Sequence, residues 1–504
     1  MANLLTASLI STMSGVLSLA FGFASNVVAA RMLGAHGTGL VAFAIWFGTT
    51  AATVAGLGIQ NMLVRYMASA DDPVAANRGL VRKLLGPFSI LAIAVTIGML
   101  GWAAYQQILG DRTMTAVWVA TAVFYFILAY ASLTVGAQRG VRDFPATARQ
   151  VLQGCMIQLP AVTVGAYFFG AAGAIVGQAM RYLPSALALR KFSVGPSTSV
   201  GVITPAMKSF SRNTWFSATI GLFIWTRIEF VFLAHNHEVA DVGYFAIGMT
   251  LAGLVVQLPE QMSAALLPYF GKHHDNNDLG QLQRSYSRVY RWIGLFIFPV
   301  CFGGAAIMPE LLPLVFGPEF EPAIPAASIL LATACITAMT IFPSALISAR
   351  ERSDFFLWSA PAMAVLMVIL LAVVVPSGGA VGAAIVRAVV HSGWLILLVG
   401  YSWGRLSIAP PVVDLLKIGA SAAVCAFAAH LVLGVESGLF GLLLAVIAGA
   451  LTFAVCLRVT SAIPEDDVEV LTYNLDNALP EPIAKLALIV VNLIAPKRTA
   501  EVRQ

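Results

Sequence analysis

The sequence predicts an all-α, polytopic membrane protein with about fourteen transmembrane helices. The 504 residues are 59% hydrophobic and 11% charged, whereas soluble domains have about 25% charged residues. Mean hydropathy is +0.85. Apolar stretches of about 20 residues, the length that crosses about 30 Å of hydrocarbon as a helix, recur along the whole chain.

An apolar window places these helices in order along the chain. Their approximate limits are 9–30, 38–60, 84–105, 114–136, 150–169, 171–188, 214–235, 242–266, 290–308, 325–347, 356–375, 380–400, 415–433 and 438–457. The first run lacks the positive n-region and small-residue cleavage site of a signal peptide, so we expect it to be retained as a span. An even number of spans predicts that both termini lie on one side.

The positive charges predict which side that is. Nearly all of the 29 Lys and Arg residues lie in connections that follow even-numbered spans or in the C-terminal tail. The opposite connections are short and contain only Arg31 and Arg112. This asymmetry predicts cytoplasmic termini. Since the charges follow the topology, they do not indicate nucleic-acid binding.

No motif for catalysis or metal binding is present in the sequence. It has no phosphate-binding glycine loop, HExxH motif or nucleophile elbow. The five cysteines lie in apolar segments without metal-ligand spacing and are interpreted as core residues. We therefore expect a protein that is not an enzyme and has neither a cofactor nor a metal.

An internal repeat divides the chain into two lobes. Segments 33–44, 137–144 and 173–181 resemble segments 238–248, 348–355 and 382–390, at offsets of about 204 to 211 residues. The matched positions include Gly39 with Gly243. We predict six-helix lobes at 1–200 and 201–410, two extra helices at 411–460, and a cytoplasmic tail at 461–504 with an interfacial helix at 483–496. In transporters with such repeats the substrate site lies between the lobes.

Three segments carry a family resemblance. RMLGAHGTG at 31–39, TRIEF followed by DVGYFAIG at 226–248, and LVFGPEFEPA at 314–323 resemble the polysaccharide transporter branch of the multidrug/oligosaccharidyl-lipid/polysaccharide exporter superfamily. This branch includes Wzx-type flippases, and the lipid II flippases are a sister group.

The resemblance implies an undecaprenyl-pyrophosphate oligosaccharide as the cargo. It would move from the cytoplasmic to the periplasmic leaflet of a bacterial inner membrane as two lobes rock around a cationic cavity. The product would serve O-antigen (lipopolysaccharide) or exopolysaccharide assembly. The implied partners are the lipid-linked oligosaccharide, membrane lipids and the polysaccharide polymerase machinery, with no nucleic acid.

The seventh predicted span carries Arg227 and Glu229 near its middle. An arginine at this depth costs at least about 2.5 kcal/mol and usually faces a cavity or a protein interior. Arg227 suits an oxyanion such as pyrophosphate, and the alternative is a buried ion pair with a neighbouring helix. Along a continuous helix Glu229 is rotated from Arg227 by roughly 200°. Glu229 is therefore a candidate proton or cation site, or pairs with another helix.

Other candidate residues lie in or beside the spans. Arg387 and His391, one turn apart on the twelfth span, would extend the cationic surface, the alternatives being a packing contact or a pair with Glu229. Arg31 is a weaker cavity candidate, and for Arg181 we favour an interfacial position. Four further residues are candidates for a cytoplasmic mouth or are ordinary helix-end polar residues: Gln60, Asn61, Glu260 and Gln261.

Several functions compete with the flippase. A lipid II flippase is the closest, and a cation-coupled drug or metabolite antiporter of the multidrug branch, which typically has twelve helices, is the next. A membrane glycosyltransferase or polymerase would show acidic catalytic motifs and a large external loop, which this sequence lacks. A structural scaffold would not need arginines at membrane depth.

Overall fold

The computed structural model describes residues 2–67, 72–198, 201–225, 227–275, 279–350, 354–464, 466–470 and 472. Within these ranges the regular structure is entirely helical, as predicted. Ten helices in this part of the chain are long and apolar enough to cross a membrane. The predicted interfacial helix at 483–496 lies outside the described residues.

Sixteen α-helices are numbered here in chain order, and a 3-10 helix at Pro318–Ala323 precedes the thirteenth. Their bounds in the described chain are α1 Ala2–Ala55, α2 Ile59–Tyr66, α3 Pro73–Ile108, α4 Arg112–Gly140, α5 Phe144–Met180, α6 Leu183–Leu187, α7 Arg190–Ser193, α8 Pro205–Trp225, α9 Glu229–Asn236, α10 Val239–Asp275, α11 Leu279–Ala306, α12 Met308–Phe316, α13 Ile324–Ala349, α14 Asp354–Leu406, α15 Val412–Leu433 and α16 Gly438–Thr460.

Three helices each contain two of the predicted spans. α1, α5 and α14 are interrupted at Gly34, Gly170 and Gly379, whose φ angles are 64°, 59° and 50°. Glycine adopts this left-handed region without the steric penalty of a Cβ, so the chain bends sharply there. The seventh predicted span is divided in a different way, into α8 and α9. With these four cases resolved, every predicted span has a helical counterpart.

The described chain forms two compact units, Met1–Ala246 and Ile247–Gln504. In the N-terminal unit α4 contributes to both hydrophobic clusters, one with α1 and α5 and the other with α2 and α3. Its side chains Phe124 and Tyr125 are almost completely buried. In the C-terminal unit α15 and α16 pack with α11 around Ile418, Cys425 and Leu457.

Gly39 and Gly243, predicted to be equivalent in the repeat, lie against each other in the N-terminal unit. A Cβ on Gly243 would lie 3.1 Å from the Gly39 backbone nitrogen, and one on Gly39 would collide with the Val239 carbonyl. The absence of side chains therefore allows the second segment of α1 to pack backbone against backbone on the start of α10.

Candidate functional site

The seventh predicted span is broken at the position of its charged residues. α8 ends at Trp225 and α9 begins at Glu229. The Arg227 carbonyl accepts a hydrogen bond from the Phe230 N–H at 3.1 Å, and the Ile228 carbonyl accepts one from the Val231 N–H at 3.0 Å. Discontinuous membrane helices place backbone ends and side chains at substrate sites in several transporter folds.

The first half of α8 is anchored to the end of α1 and to the turn that follows it. The Trp215 indole N–H donates to the Val54 carbonyl at 2.7 Å, and the Ser211 hydroxyl donates to the Leu57 carbonyl at 2.7 Å. Gly58, with φ of 70°, lies against the Ser211 backbone where a Cβ would collide. These contacts fix α8 up to the break that holds Arg227.

Arg227 lies in the break on an aromatic surface. Its side chain is half-buried, and its Cζ is 5.6 Å from the centroid of the Phe230 ring. This is the range of a cation–π contact. The buried Phe230 ring meets Trp46 edge-on at 6.3 Å and Phe245 at 6.0 Å between centroids. The Phe230 ring, packed against these two rings, thus orients the Arg227 guanidinium, while Arg227 itself remains partly accessible.

Glu229 is the first residue of α9 and is completely buried. On a continuous helix Glu229 and Arg227 would lie roughly 200° apart. Because the helix is broken between them, this angle does not apply. A carboxylate in the first turn is stabilised by the positive end of the helix dipole. Its role as a proton or cation site stays a prediction.

Arg387 and His391 occupy the second segment of α14 in the C-terminal unit. They are 7% and 1% exposed. The His391 Nδ1 lies 2.9 Å from the Thr337 Oγ1 on α13, and the same hydroxyl donates to the Thr333 carbonyl at 3.2 Å. Which of these two atoms donates depends on the tautomer of the imidazole. His391 is therefore part of the α13–α14 interface, and the cavity role of Arg387 and His391 stays a prediction.

The remaining candidates lie on α1, α2 and α10. Arg31 is exposed and precedes the Gly34 kink of α1. Gln60, half-buried, and Asn61, exposed, lie on α2, where the close approach of Gly136 holds the Gln60 backbone against α4. Glu260 and Gln261 are exposed on α10. The assignment of these four residues to a cytoplasmic mouth stays a prediction.

A polar row inside the N-terminal unit was not singled out from the sequence. Arg181 donates to the Ser18 hydroxyl, so its guanidinium turns toward α1, and its interfacial position stays a prediction. The Gln178 amide donates to the Asn26 side-chain oxygen at 3.2 Å and accepts from the Gln158 amide at 2.5 Å. Amides within apolar spans were the signal that could have identified this row.

The C-terminal unit contains an apolar cavity of about 480 Å³. It is formed by α10, α11, α12, α13, α15 and α16, and its lining includes Leu254, Val300, Met308, Leu331 and Val446. Because the walls are almost entirely hydrocarbon, the cavity suits an apolar chain and disfavours a charged group.

An ionic cluster ties the described end of the chain to α11 and α15. Asp467, 2% exposed, accepts from the Arg288 Nε at 2.8 Å and from the Arg291 Nε at 2.7 Å. Arg291 also pairs with Asp414 on α15 at 3.1 Å. The buried carboxylate thus holds the segment after α16 against the start of α11.

Comparison with known proteins defines the family. The family model for polysaccharide biosynthesis proteins matches residues 28–325, more than half of the chain. The chain belongs to this family. No match was found among curated protein sequences. The match of the polysaccharide biosynthesis family covers Arg227 and Glu229 and ends before Arg387.

Solved structures resemble the fold over most of its length. The lipid II flippase MurJ in an inward closed conformation has a TM-score of 0.73 at 12% identity, covering 90% of this chain and 98% of that one. An inward-facing MATE multidrug resistance transporter of the MOP superfamily has 0.62 at 16%, with 80% and 96% covered. A MOP transporter from Pyrococcus furiosus has 0.51 at 14%, with 79% and 94% covered. The fold is therefore that of the MOP-superfamily transporters.

Proposed function

We propose that this polysaccharide biosynthesis protein is a flippase. Its cargo is an undecaprenyl-pyrophosphate-linked oligosaccharide, which moves from the cytoplasmic to the periplasmic leaflet by alternating access around a cationic cavity. The observation that carries the proposal is the half-buried Arg227 in the break between α8 and α9. The product feeds O-antigen or exopolysaccharide assembly, with polymerase machinery as a partner.

Arg227 supplies the chemistry that a pyrophosphate needs. A guanidinium binds two oxyanion oxygens through parallel hydrogen bonds, and excluding water strengthens the contact. The aromatic contact with Phe230 at 5.6 Å leaves the planar fork oriented before cargo arrives. This geometry supports recognition of the charged head of the cargo rather than of its sugars.

The apolar cavity of the C-terminal unit suits the other end of the same cargo. A polyprenyl chain is uncharged hydrocarbon, and about 480 Å³ lined by aliphatic side chains accommodates part of it without desolvating a polar group. In this proposal the N-terminal unit supplies Arg227 for the pyrophosphate, and the C-terminal unit supplies the apolar cavity for the polyprenyl chain.

The membrane potential is the proposed driving force, since the sequence has no ATP-binding motif. Moving negative charge outward across an inside-negative membrane is favourable by about 2.3 kcal/mol per charge per 100 mV. We place the protein in a bacterial inner membrane with both termini cytoplasmic. Coupling to a proton or cation through Glu229 would add to the free energy that the membrane potential supplies.

Two alternatives have specific support. The similarity to MurJ favours a lipid II flippase, whose cargo shares the polyprenyl pyrophosphate. The similarity to MATE transporters favours a cation-coupled drug antiporter. The helices α15 and α16, additional to the typical twelve of the multidrug branch, argue against the second alternative.

Gene deletion tests the proposal. Lipid-linked sugars and surface polysaccharide are analysed together in the deletion strain. We expect an undecaprenyl-pyrophosphate oligosaccharide to accumulate on the cytoplasmic side while the surface polymer is lost. Accumulated lipid II with arrested wall synthesis would establish the first alternative, and normal polysaccharide with altered sensitivity to cationic drugs would establish the second.

A further inference from the structure

Arg181 directly follows α5 in the N-terminal unit, eleven residues after the Gly170 kink. It falls within the sixth predicted span, 171–188. A cation within a membrane span is costly unless it faces water or an opposite charge.

The described residues supply Arg181 with no opposite charge. The ion pairs among all described residues are Lys191–Asp143, Arg288–Asp467, Arg291–Asp414 and Arg291–Asp467, and Arg181 takes part in none of them. The guanidinium donates to the neutral Ser18 hydroxyl instead. Its side chain is half-buried, so the remaining N–H donors are available to a ligand.

Glycines on both sides hold Arg181 in place. Gly154, in the first segment of α5, packs so closely on the Arg181 carbonyl that a Cβ would collide with it. Gly22 on α1 passes beside the guanidinium, where a Cβ would lie 3.2 Å from the terminal nitrogen. The backbone at Arg181 therefore packs directly on the first segment of α5, and the guanidinium reaches α1.

Hydrogen-bonding groups continue from Arg181 along the same interface. Gln178, one helical turn before Arg181, bonds to Asn26 on α1 and to Gln158. Gln158 is 1% exposed, and its Oε1 is buried without a hydrogen-bond partner among the described residues. A buried acceptor of this kind normally binds a hydroxyl or a water, so the interface is built for a polar ligand and is not simply a packed one.

We propose that Arg181 and Ser18 form an oxyanion site for a phosphate group, with the amides of Gln178 and Asn26 contacting hydroxyls beside it. The inference deepens the proposed function, on which its cargo assignment rests, by adding a second phosphate contact to Arg227. The ligand class is a phosphorylated sugar head. The same chemistry is offered by an anionic phospholipid headgroup, and the test separates the two.

Binding of inorganic pyrophosphate to the purified full-length protein in phosphatidylcholine nanodiscs tests the site. We expect Arg181→Gln to weaken binding by about tenfold or more, the usual loss for hydrogen bonds to a charged group. Arg149→Gln, an exposed arginine on the same helix, is the matched control and should bind like the wild type. Wild-type affinity in Arg181→Gln would overturn the proposal.

A second variant keeps the arginine in case Arg181→Gln does not accumulate. Gly22→Ala adds a Cβ against the Arg181 guanidinium. It should weaken pyrophosphate binding severalfold while leaving the protein folded. Unchanged affinity in Gly22→Ala would overturn the proposal. Added phosphatidylglycerol should not compete with pyrophosphate. Competition in the wild type that is lost in Gly22→Ala would assign the site to lipid phosphate and overturn the cargo assignment.

The two proposals can fail separately. A deletion strain without accumulated lipid-linked oligosaccharide would refute the flippase while the pyrophosphate affinities still decide the oxyanion site. Conversely, accumulation in the deletion strain together with unchanged pyrophosphate binding by Arg181→Gln would refute the site alone.

Discussion

Arg227 combines partial exposure and an aromatic contact at the break between α8 and α9. Arg227→Ala should abolish export while the protein still accumulates, because the oxyanion contact is lost and the neighbouring Phe230 stays packed. Arg227→Lys should restore export only in part, since an ammonium lacks the planar fork. Surface polysaccharide and membrane levels of the variant measure this, and full export by Arg227→Ala would exclude the residue from the site.

Arg387 is only 7% exposed, so a substitution there can affect packing as well as the proposed cationic surface. Arg387→Ala should abolish export with the protein still present in the membrane, if its guanidinium extends the cationic surface. The measurement is export normalised to protein level, with Arg405→Ala, an exposed arginine at the end of the same helix, as the control. Normal export by Arg387→Ala would assign the residue to packing.

At the residue scale, the sequence indicates residue types but not their contacts. Hydropathy and charge predict that Arg227, Glu229, Arg387 and His391 are intramembrane polar groups. The sequence did not indicate that His391 bonds to Thr337, because that contact joins residues on different helices. The hydrogen bond from Arg181 to Ser18 was not predicted, for the same reason.

At the scale of elements, glycine contacts decide how closely helices pack. Gly39→Ala and Gly243→Ala should each lower the free energy of unfolding by about 1 to 3 kcal/mol, as overpacked sites do, because each Cβ meets backbone. Gly98→Ala on α3 has open space around it and should be neutral or stabilising by about 0.5 to 1 kcal/mol. Thermal unfolding in detergent measures the three variants, and equal melting temperatures would contradict the contact.

The segment after α16 depends on one buried carboxylate. Asp467→Asn should destabilise the C-terminal unit by about 3 to 5 kcal/mol, the usual result of removing one partner from a buried ion pair, since two arginines of α11 lose the negative charge and one of the two acceptor oxygens. Asp466→Asn changes the exposed neighbour and should have little effect. Limited proteolysis and thermal unfolding compare the two, and identical behaviour would show that the cluster contributes no stability.

At the scale of the whole molecule, the proposed driving force for transport is the membrane potential. Proteoliposomes with an imposed inside-negative potential should transfer a polyprenyl-pyrophosphate sugar outward faster than without it. The expected bias is about 2.3 kcal/mol per charge per 100 mV. Transfer that responds to a pH gradient and not to the potential would instead favour proton coupling through Glu229.

The sequence by itself determined the class of protein, the helical spans and the family. These follow from local properties, since hydropathy and the length that crosses a bilayer depend on consecutive residues. Tertiary structure alone decided that the seventh span breaks at Arg227, that Arg181 turns to Ser18 and that His391 is buried against α13. Those features depend on which helices pack together, and a hydropathy pattern contains no information about partners distant in the chain.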